Sequence, residues 1–399
     1  MSSSRQLNRI LAVVCFIFFS LGLVTASIGP LLGEFSANTG ASLAGVGVIF
    51  TAFFLGALIA QIINGMISER FGLSPLLIGG AMLAAVGLVG MSFSRSLPSL
   101  LGMALITGYG HGAINLCGNL IIATNFKDKR VTAVNFINIF YAGGAFIGPA
   151  LIGLIVSRVK IGVPVFWLGA LLIFTSALIM MRVSPGRIEP AAENQTLSIQ
   201  KSALFANPIL WALALLSLFY GGSETGVAGW TTTYLQQSVS FSLERGAFVT
   251  SGFYVMVTLG RSICSWLGTK LSGVQVLLAT LTATFVGTVI FVAGYSNPLL
   301  SVIGVLAIGL GYGGTYPTLV ALTSAIFHKS AGKAVGLVIS LGSIGGMTLP
   351  SLQGVLIDNS GPRPFGFIIA AQTILMLALL GFARWRMSRQ ESAVQTVSE

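Results

Sequence analysis

Glu224 is the residue in this chain best placed to do chemistry. It lies in the stretch 219–237, FYGGSETGVAGWTTTYLQQ, inside an apolar run that opens near Ile209. At 1.5 Å rise per residue, fifteen residues of helix put it roughly 22 Å deep, past the middle of a ~30 Å hydrocarbon core. A carboxylate at that depth costs a few kcal/mol or more, so it is expected to face a cavity and to act there. Gly221, Gly222, Ser223, Gly226, Ala228 and Gly229 clear space around it, and Trp230 and Tyr234 follow on the same chain. The competing reading is a protonated Glu hydrogen-bonded to a neighbouring helix.

Other polar side chains interrupt apolar runs. Asn115 and Asn119 are spaced i,i+4 and share a helix face. Asn135, Asn138 and Tyr141 follow in VNFINIFYAGG, Gln61 and Asn64 sit in an earlier run, and Gln353 in LPSLQG. Amides buried in lipid are costly unless they meet partners or substrate, so helix–helix hydrogen bonds are the alternative reading. Amides exchange hydrogen bonds with hydroxyls, and a Trp face packs on the C–H face of a sugar ring, so this lining suits a polyhydroxylated solute. A large cation would favour more buried acids. An organic anion would favour a mid-membrane Arg or Lys, and Arg261 reads as lying near the cytoplasmic end of its run. His111 is either a packing residue or a proton carrier. His328, beside Lys329, reads as solvated. Gly65, Glu69, Arg70 and Gly72 (GMISERFG) form an acid–base pair flanked by glycines at a helix end, able to latch neighbouring helices in one state, with a degenerate counterpart at Gly260-Arg261.

The elements that must hold these groups are legible from composition. Of 399 residues, 54% are hydrophobic and 8% charged, against about 25% charged in soluble domains. Twelve apolar runs, each about 20 to 30 residues, fall near 9–33, 44–67, 74–93, 97–124, 131–156, 162–182, 209–236, 246–268, 274–294, 298–327, 333–357 and 364–386. Polar residues 183–208 divide them six and six, which predicts bundles over 1–182 and 209–399 joined by a cytoplasmic linker. Fifteen Lys and Arg fall in gaps on one side, from Arg5 and Arg9 to Arg386 and Arg389, and five on the other: Arg95, Arg158, Lys160, Arg245 and Arg363. That asymmetry predicts both termini in the cytoplasm. It also accounts for the net charge of +11 without nucleic acid. Cys15, Cys117 and Cys264 are isolated in apolar runs, with no metal or disulfide spacing. The first run is too long for a signal peptide and reads as a spanning helix. No cofactor is implied. An enzyme would need a cluster of nucleophile, base or metal ligands, which is not seen.

A shift of 201 residues aligns the halves without gaps. Gly108, Gly110 and Gly112 fall on Gly309, Gly311 and Gly313, and Gly144, Pro149 and Gly153 on Gly345, Pro350 and Gly354. Polar residues do not repeat: Asn115 falls on Tyr316, Glu224 on Leu23 and Trp230 on Gly29. This is a parallel duplication with an asymmetric site, the plan of a secondary transporter.

These features resemble the major facilitator superfamily over the whole chain. GMISERFG is similar to that family's loop motif, with Glu69 where Asp is usual. Within the family, YGGSETGVAGWTTTYL (220–235), GRS (260–262), TYPT (315–318), GGMTLPSLQG (345–354) and NFINIFYAGGAFIGP (135–149) resemble the fucose–proton symporter group and related glucose transporters. Sugar transport is what the resemblance implies. The acids that the fucose type carries at the positions of Gly29 and Asn115 are absent, so coupling rests on Glu224, on a sodium ion, or on neither. Gly144, Gly148, Pro149 and Gly153 resemble a helix-five motif of proton-coupled exporters of drugs and other hydrophobic metabolites, the runner-up.

The expectation is therefore an all-α membrane protein of twelve transmembrane helices in two parallel six-helix repeats, the major facilitator fold. It is a monomer in the plasma (inner) membrane, with both termini cytoplasmic. It carries a neutral polar solute, a sugar, by alternating access about a mid-membrane site lined by Glu224, Trp230, Asn115, Asn119, Asn138, Tyr141, Tyr316, Gln353 and Gln61.

Overall fold

The computed structural model describes residues 4–126, 130–183 and 204–398. Among the described residues it holds thirteen α-helices: α1 (Ser4–Ser27), α2 (Leu32–Thr39), α3 (Leu43–Phe71), α4 (Leu73–Phe93), α5 (Leu97–Asn125), α6 (Arg130–Val159), α7 (Pro164–Val183), α8 (Pro208–Val239), α9 (Leu243–Leu267), α10 (Gly273–Ala293), α11 (Pro298–Ile326), α12 (Ala331–Ser360) and α13 (Arg363–Ser398). The first expected run is broken: a 3-10 turn at Gly29–Leu31, with Pro30 in it, links α1 to α2. α2 ends at Gly40, whose φ of 66° suits a residue without a Cβ.

The start signals are local. Asn207 caps α8 by accepting from the Ile209 amide at 2.9 Å, with Pro208 in the first turn. Asn297 caps α11 in the same way through Leu300 at 3.1 Å, and Ser272 with Gln275 forms a capping box on α10. The Glu34 carboxylate serves α7 from a distance, accepting from the Gly162 amide at 2.7 Å just before that helix begins.

Eleven segments among the described residues are long and apolar enough to cross a membrane, counting α1 and α2 as one. The helix missing from that set is α8, 32 residues long. Its polar stretch around Ser223, Glu224 and Thr225 lowers its hydropathy. The helix that carries the acid is thus the least lipid-like of the twelve expected.

The chain forms two compact units, one of Met1–Gln195 with Phe241–Ser251, the other of Thr196–Ser240 with Gly252–Glu399. The start of α9 therefore groups with the first unit, where the Ser251 hydroxyl donates to the Phe146 carbonyl at 2.7 Å. This differs from the expected division at 183–208, which kept all of α9 in the second bundle. Residues 184–203 of the expected linker lie outside the described residues.

In the first unit α1 packs on α6 and α7, and α4 on α5 and α7. In the second, α8 packs on α12 and α13, and α10 on α11 and α13. Adding 201 to the ends of α5 gives those of α11, and adding it to the ends of α6 gives those of α12. The shared glycines do the same work in both copies. A Cβ on Gly108 would strike the Phe53 carbonyl, and one on Gly309 the Phe253 carbonyl. Gly144 meets the Phe19 carbonyl of α1, and Gly345 the Leu218 carbonyl of α8. Small residues let helix backbones approach where apolar lipid gives no hydrophobic drive to associate.

Candidate functional site

The second unit gathers a polar cluster on three helices. α8 presents Tyr220, Ser223 and Glu224 on one face, a turn apart. α11 presents Tyr312 and Tyr316, again a turn apart. The Tyr220 hydroxyl donates to the Tyr312 carbonyl at 3.3 Å, and Ser223 shares a short hydrogen bond with the Tyr312 hydroxyl. The Tyr220 and Tyr316 rings stack with centroids 6.1 Å apart and planes 20° apart, while Tyr312 meets Tyr220 edge-on at 5.5 Å. Glu224 follows Tyr220 by one turn on the same face of α8. Tyr220 and Tyr312 are buried, whereas Glu224 and Tyr316 are half-buried. Pro317 shapes the α11 side: it lacks the N–H that would bond the Gly313 carbonyl, which loosens the helix beside Tyr316.

Arg261 joins this cluster from α9. Its amide nitrogen is 2.7 Å from where a Cβ of Gly313 would stand. Gly313 is the sixteenth of 29 residues in α11, counting Pro298 as the first. The Arg261 backbone thus packs level with the middle of α11, although Arg261 is the nineteenth of 25 residues in α9. No direct ion pair joins it to Glu224, and its side chain is exposed.

The first unit holds a second, smaller group. His111 Nδ1 lies 3.3 Å from the Thr25 hydroxyl, its ring is 5.1 Å from Phe53, and Tyr141 stands edge-on at 6.5 Å. His111 and Asn115 of α5 fall, at the repeat offset, on Tyr312 and Tyr316 of α11. The same two positions carry polar groups in both copies, with different chemistry.

The remaining expected residues divide clearly. Asn119, Asn138 and Asn64 each donate to the carbonyl four residues back at 2.8 Å, satisfying part of each amide on its own helix. Asn115 and Tyr141 are half-buried, and Gln61 is exposed. Trp230 and Gln353, expected as lining residues, are packed between helices here. Trp230 is 0% exposed, its indole N–H donates to the Pro350 carbonyl at 2.9 Å, and its ring packs where Gly354 has no side chain. No face is left for a sugar ring. Gln353 is 1% exposed, donates to Gln372 at 3.4 Å, and has Oε1 pressed against Gly226 without a hydrogen-bond partner. At the loop motif, Gly72 turns with φ 80° and Arg70 lies over the Phe71 ring at 5.4 Å, with Gly65 exposed. The side chain of Glu69 lies outside the described residues.

Tyr220, Ser223 and Tyr312 were not expected as site residues. Their signal was in the spacing: Tyr220 precedes Glu224, and Tyr312 precedes Tyr316, by one helical turn each.

A half-buried acid among phenols, held in one of two duplicated helical units, defines a membrane transporter rather than an enzyme. The sequence model of the Major Facilitator Superfamily matches residues 14–272 and 245–399, and the chain belongs to that family. It is 22% identical over 385 residues to the inner membrane transport protein YdiN of Escherichia coli (strain K12), covering 93% of this chain and 88% of that protein. It is 24% identical over 351 residues to the glucose/mannose transporter GlcP of Bacillus subtilis (strain 168), covering 84% and 85%. Its fold is similar to the crystal structure of the nucleoside transporter NupG, with a TM-score of 0.74 at 13% identity over 95% of this chain and 98% of that one.

Proposed function

We propose that this chain is a secondary transporter that moves a small polyhydroxylated solute of the sugar class across the plasma (inner) membrane by alternating access, with both termini in the cytoplasm. The observation that carries the reading is the half-buried Glu224 in mid-helix, one turn from Tyr220, whose ring stacks on that of the half-buried Tyr316. Hydroxyls of a sugar donate to the carboxyl and accept from the phenol, and aromatic faces cover C–H surfaces. The names of two similar proteins, a glucose/mannose transporter and a nucleoside transporter, describe cargoes rich in hydroxyls. Glu224 is the coupling group, carrying a proton with the solute. Sodium coupling or uniport would leave it a plain hydrogen-bond acceptor.

Export of hydrophobic compounds is the weaker reading. The glycines that suggest it, Gly144 and Gly148, are accounted for by the close approach of α6 to the carbonyls of Phe19 and Leu23.

Glu224→Gln tests the coupling in proteoliposomes. The variant keeps the size and hydrogen bonding of the side chain but has no proton to release. Exchange of solute across the membrane is expected to persist while accumulation against a gradient is lost. Accumulation at the wild-type level would exclude Glu224 as the proton carrier.

A further inference from the structure

Arg261 is a permanent cation, since its guanidinium does not lose its proton in proteins. It stands level with the middle of α11, where Gly313 lets the α9 backbone come close. Three residues beyond Gly313, Tyr316 stacks on Tyr220, and Glu224 follows Tyr220 by one turn. The Arg261 side chain is exposed, and no ion pair joins it to Glu224. A cation level with the middle of a spanning helix, with no bonded counter-ion, is costly to keep and marks a place where an anion is received.

We propose that the solute is a hydroxylated monocarboxylate, a sugar acid, whose carboxylate is taken by the Arg261 guanidinium while its hydroxyls are taken by Glu224 and Tyr316. The inference rests on the transporter reading and narrows its cargo. The planar fork of an Arg matches a carboxylate with two parallel hydrogen bonds. A neutral polyol would leave compensation of the cation to Glu224 alone, which does not reach it.

Charge then fixes the state of Glu224. Arg261 contributes one positive charge and the solute one negative. An ionised Glu224 would leave a net negative charge among the phenols of Tyr220, Tyr312 and Tyr316, so the carboxyl receives the solute in its protonated form. One proton and one anion cross together, and the step is electrically neutral. The other groups facing Glu224 do not change this balance. Tyr220 shares its own helix, Arg261 comes from α9, and Tyr312 and Tyr316 come from α11. α12 turns Gly342, Gly345, Gly346 and Leu349 towards this part of α8, none of them charged, and α13 meets α8 through Phe365 at Tyr234.

The experiment uses the full chain in proteoliposomes with radiolabelled D-gluconate, D-glucuronate and D-glucose as probes. Saturable uptake of an acid, driven by an inward proton gradient and indifferent to membrane potential, is expected. Arg261→Gln should abolish acid uptake, and Arg261→Lys should weaken it by roughly tenfold or more, because an ammonium cannot form the paired bonds. A thermal melt checks that both variants fold, and the lysine form carries the test if the glutamine form does not. Uptake of glucose with neither acid carried nor competing would overturn this proposal and leave the transporter reading intact. Acid uptake unchanged in Arg261→Lys and Arg261→Gln would also overturn it. Failure to carry or bind any of the three would overturn both.

Discussion

Replacing Trp230 by Phe separates a packing role from a ligand-stacking role. The indole is fully buried, donates to the Pro350 carbonyl at 2.9 Å, and fills the space over Gly354. Phenylalanine keeps one ring and loses the donor. A hydrogen bond to a neutral carbonyl contributes about 1 kcal/mol net. Pro350 lies inside α12, so its carbonyl stays in a helical setting and the loss falls at the low end. Trimming the second ring leaves a void in the α8–α12 seam worth about 1–2 kcal/mol more. The sum, about 2–3 kcal/mol, corresponds to a melting temperature lower by roughly 5–10 °C for a unit of this size. The assay is a thermal melt of the purified variant in detergent beside the KM for uptake in proteoliposomes. The melt should fall and KM should stay within about twofold of wild type, since no binding contact is removed. A tenfold rise in KM with an unchanged melt would refute the packing argument and return Trp230 to the solute.

Three further outcomes follow from other contacts. Gly226→Ala places a Cβ where Gln353 Oε1 sits, costing about 1–3 kcal/mol by overpacking; Gln353→Ala in the same background should restore part of the melt, and no recovery would refute the clash. Tyr220→Phe removes the hydroxyl that donates to the Tyr312 carbonyl beside Glu224, and solute affinity should fall about fivefold, the ~1 kcal/mol of a neutral hydrogen bond; equilibrium binding with purified protein reads this directly, and unchanged affinity would remove Tyr220 from the site. Single cysteines at Ser296 and Thr269, in a background free of the native three, should react with an impermeant maleimide from the outside and the inside respectively; the reverse pattern would invert the assigned topology.

Much of the architecture was readable because its causes are local or repetitive. Apolar runs of spanning length, Asn and Ser caps, and glycines recurring at one offset each act through neighbours a few residues away or through simple backbone approach. The acid at Glu224 was readable for the same reason, since its depth follows from helix rise. The rest of the site depends on which helix faces which. Arg261 looked peripheral because depth was counted along its own run, whereas its level is set by the crossing of α9 with Gly313 of α11. Trp230 looked available because an aromatic after a polar stretch is as consistent with a binding platform as with a seam. Only the partner helix, with Pro350 and Gly354 in place, decides between them. The break at Gly29–Leu31 was missed because the run around Pro30 is apolar on both sides.

The end-for-end match of α5 with α11 and of α6 with α12 limits how the two copies can diverge. Each added residue in a helix turns everything beyond it by about 100°. One insertion between Gly313 and Tyr316 would swing the ring of Tyr316 off that of Tyr220. Point exchange, such as His for Tyr at 111 and 312 or Asn for Tyr at 115 and 316, leaves every crossing in register. The duplicated frame therefore tolerates new side chains far more readily than new lengths, and cargo preference can drift while the helix crossings within each unit stay as they are.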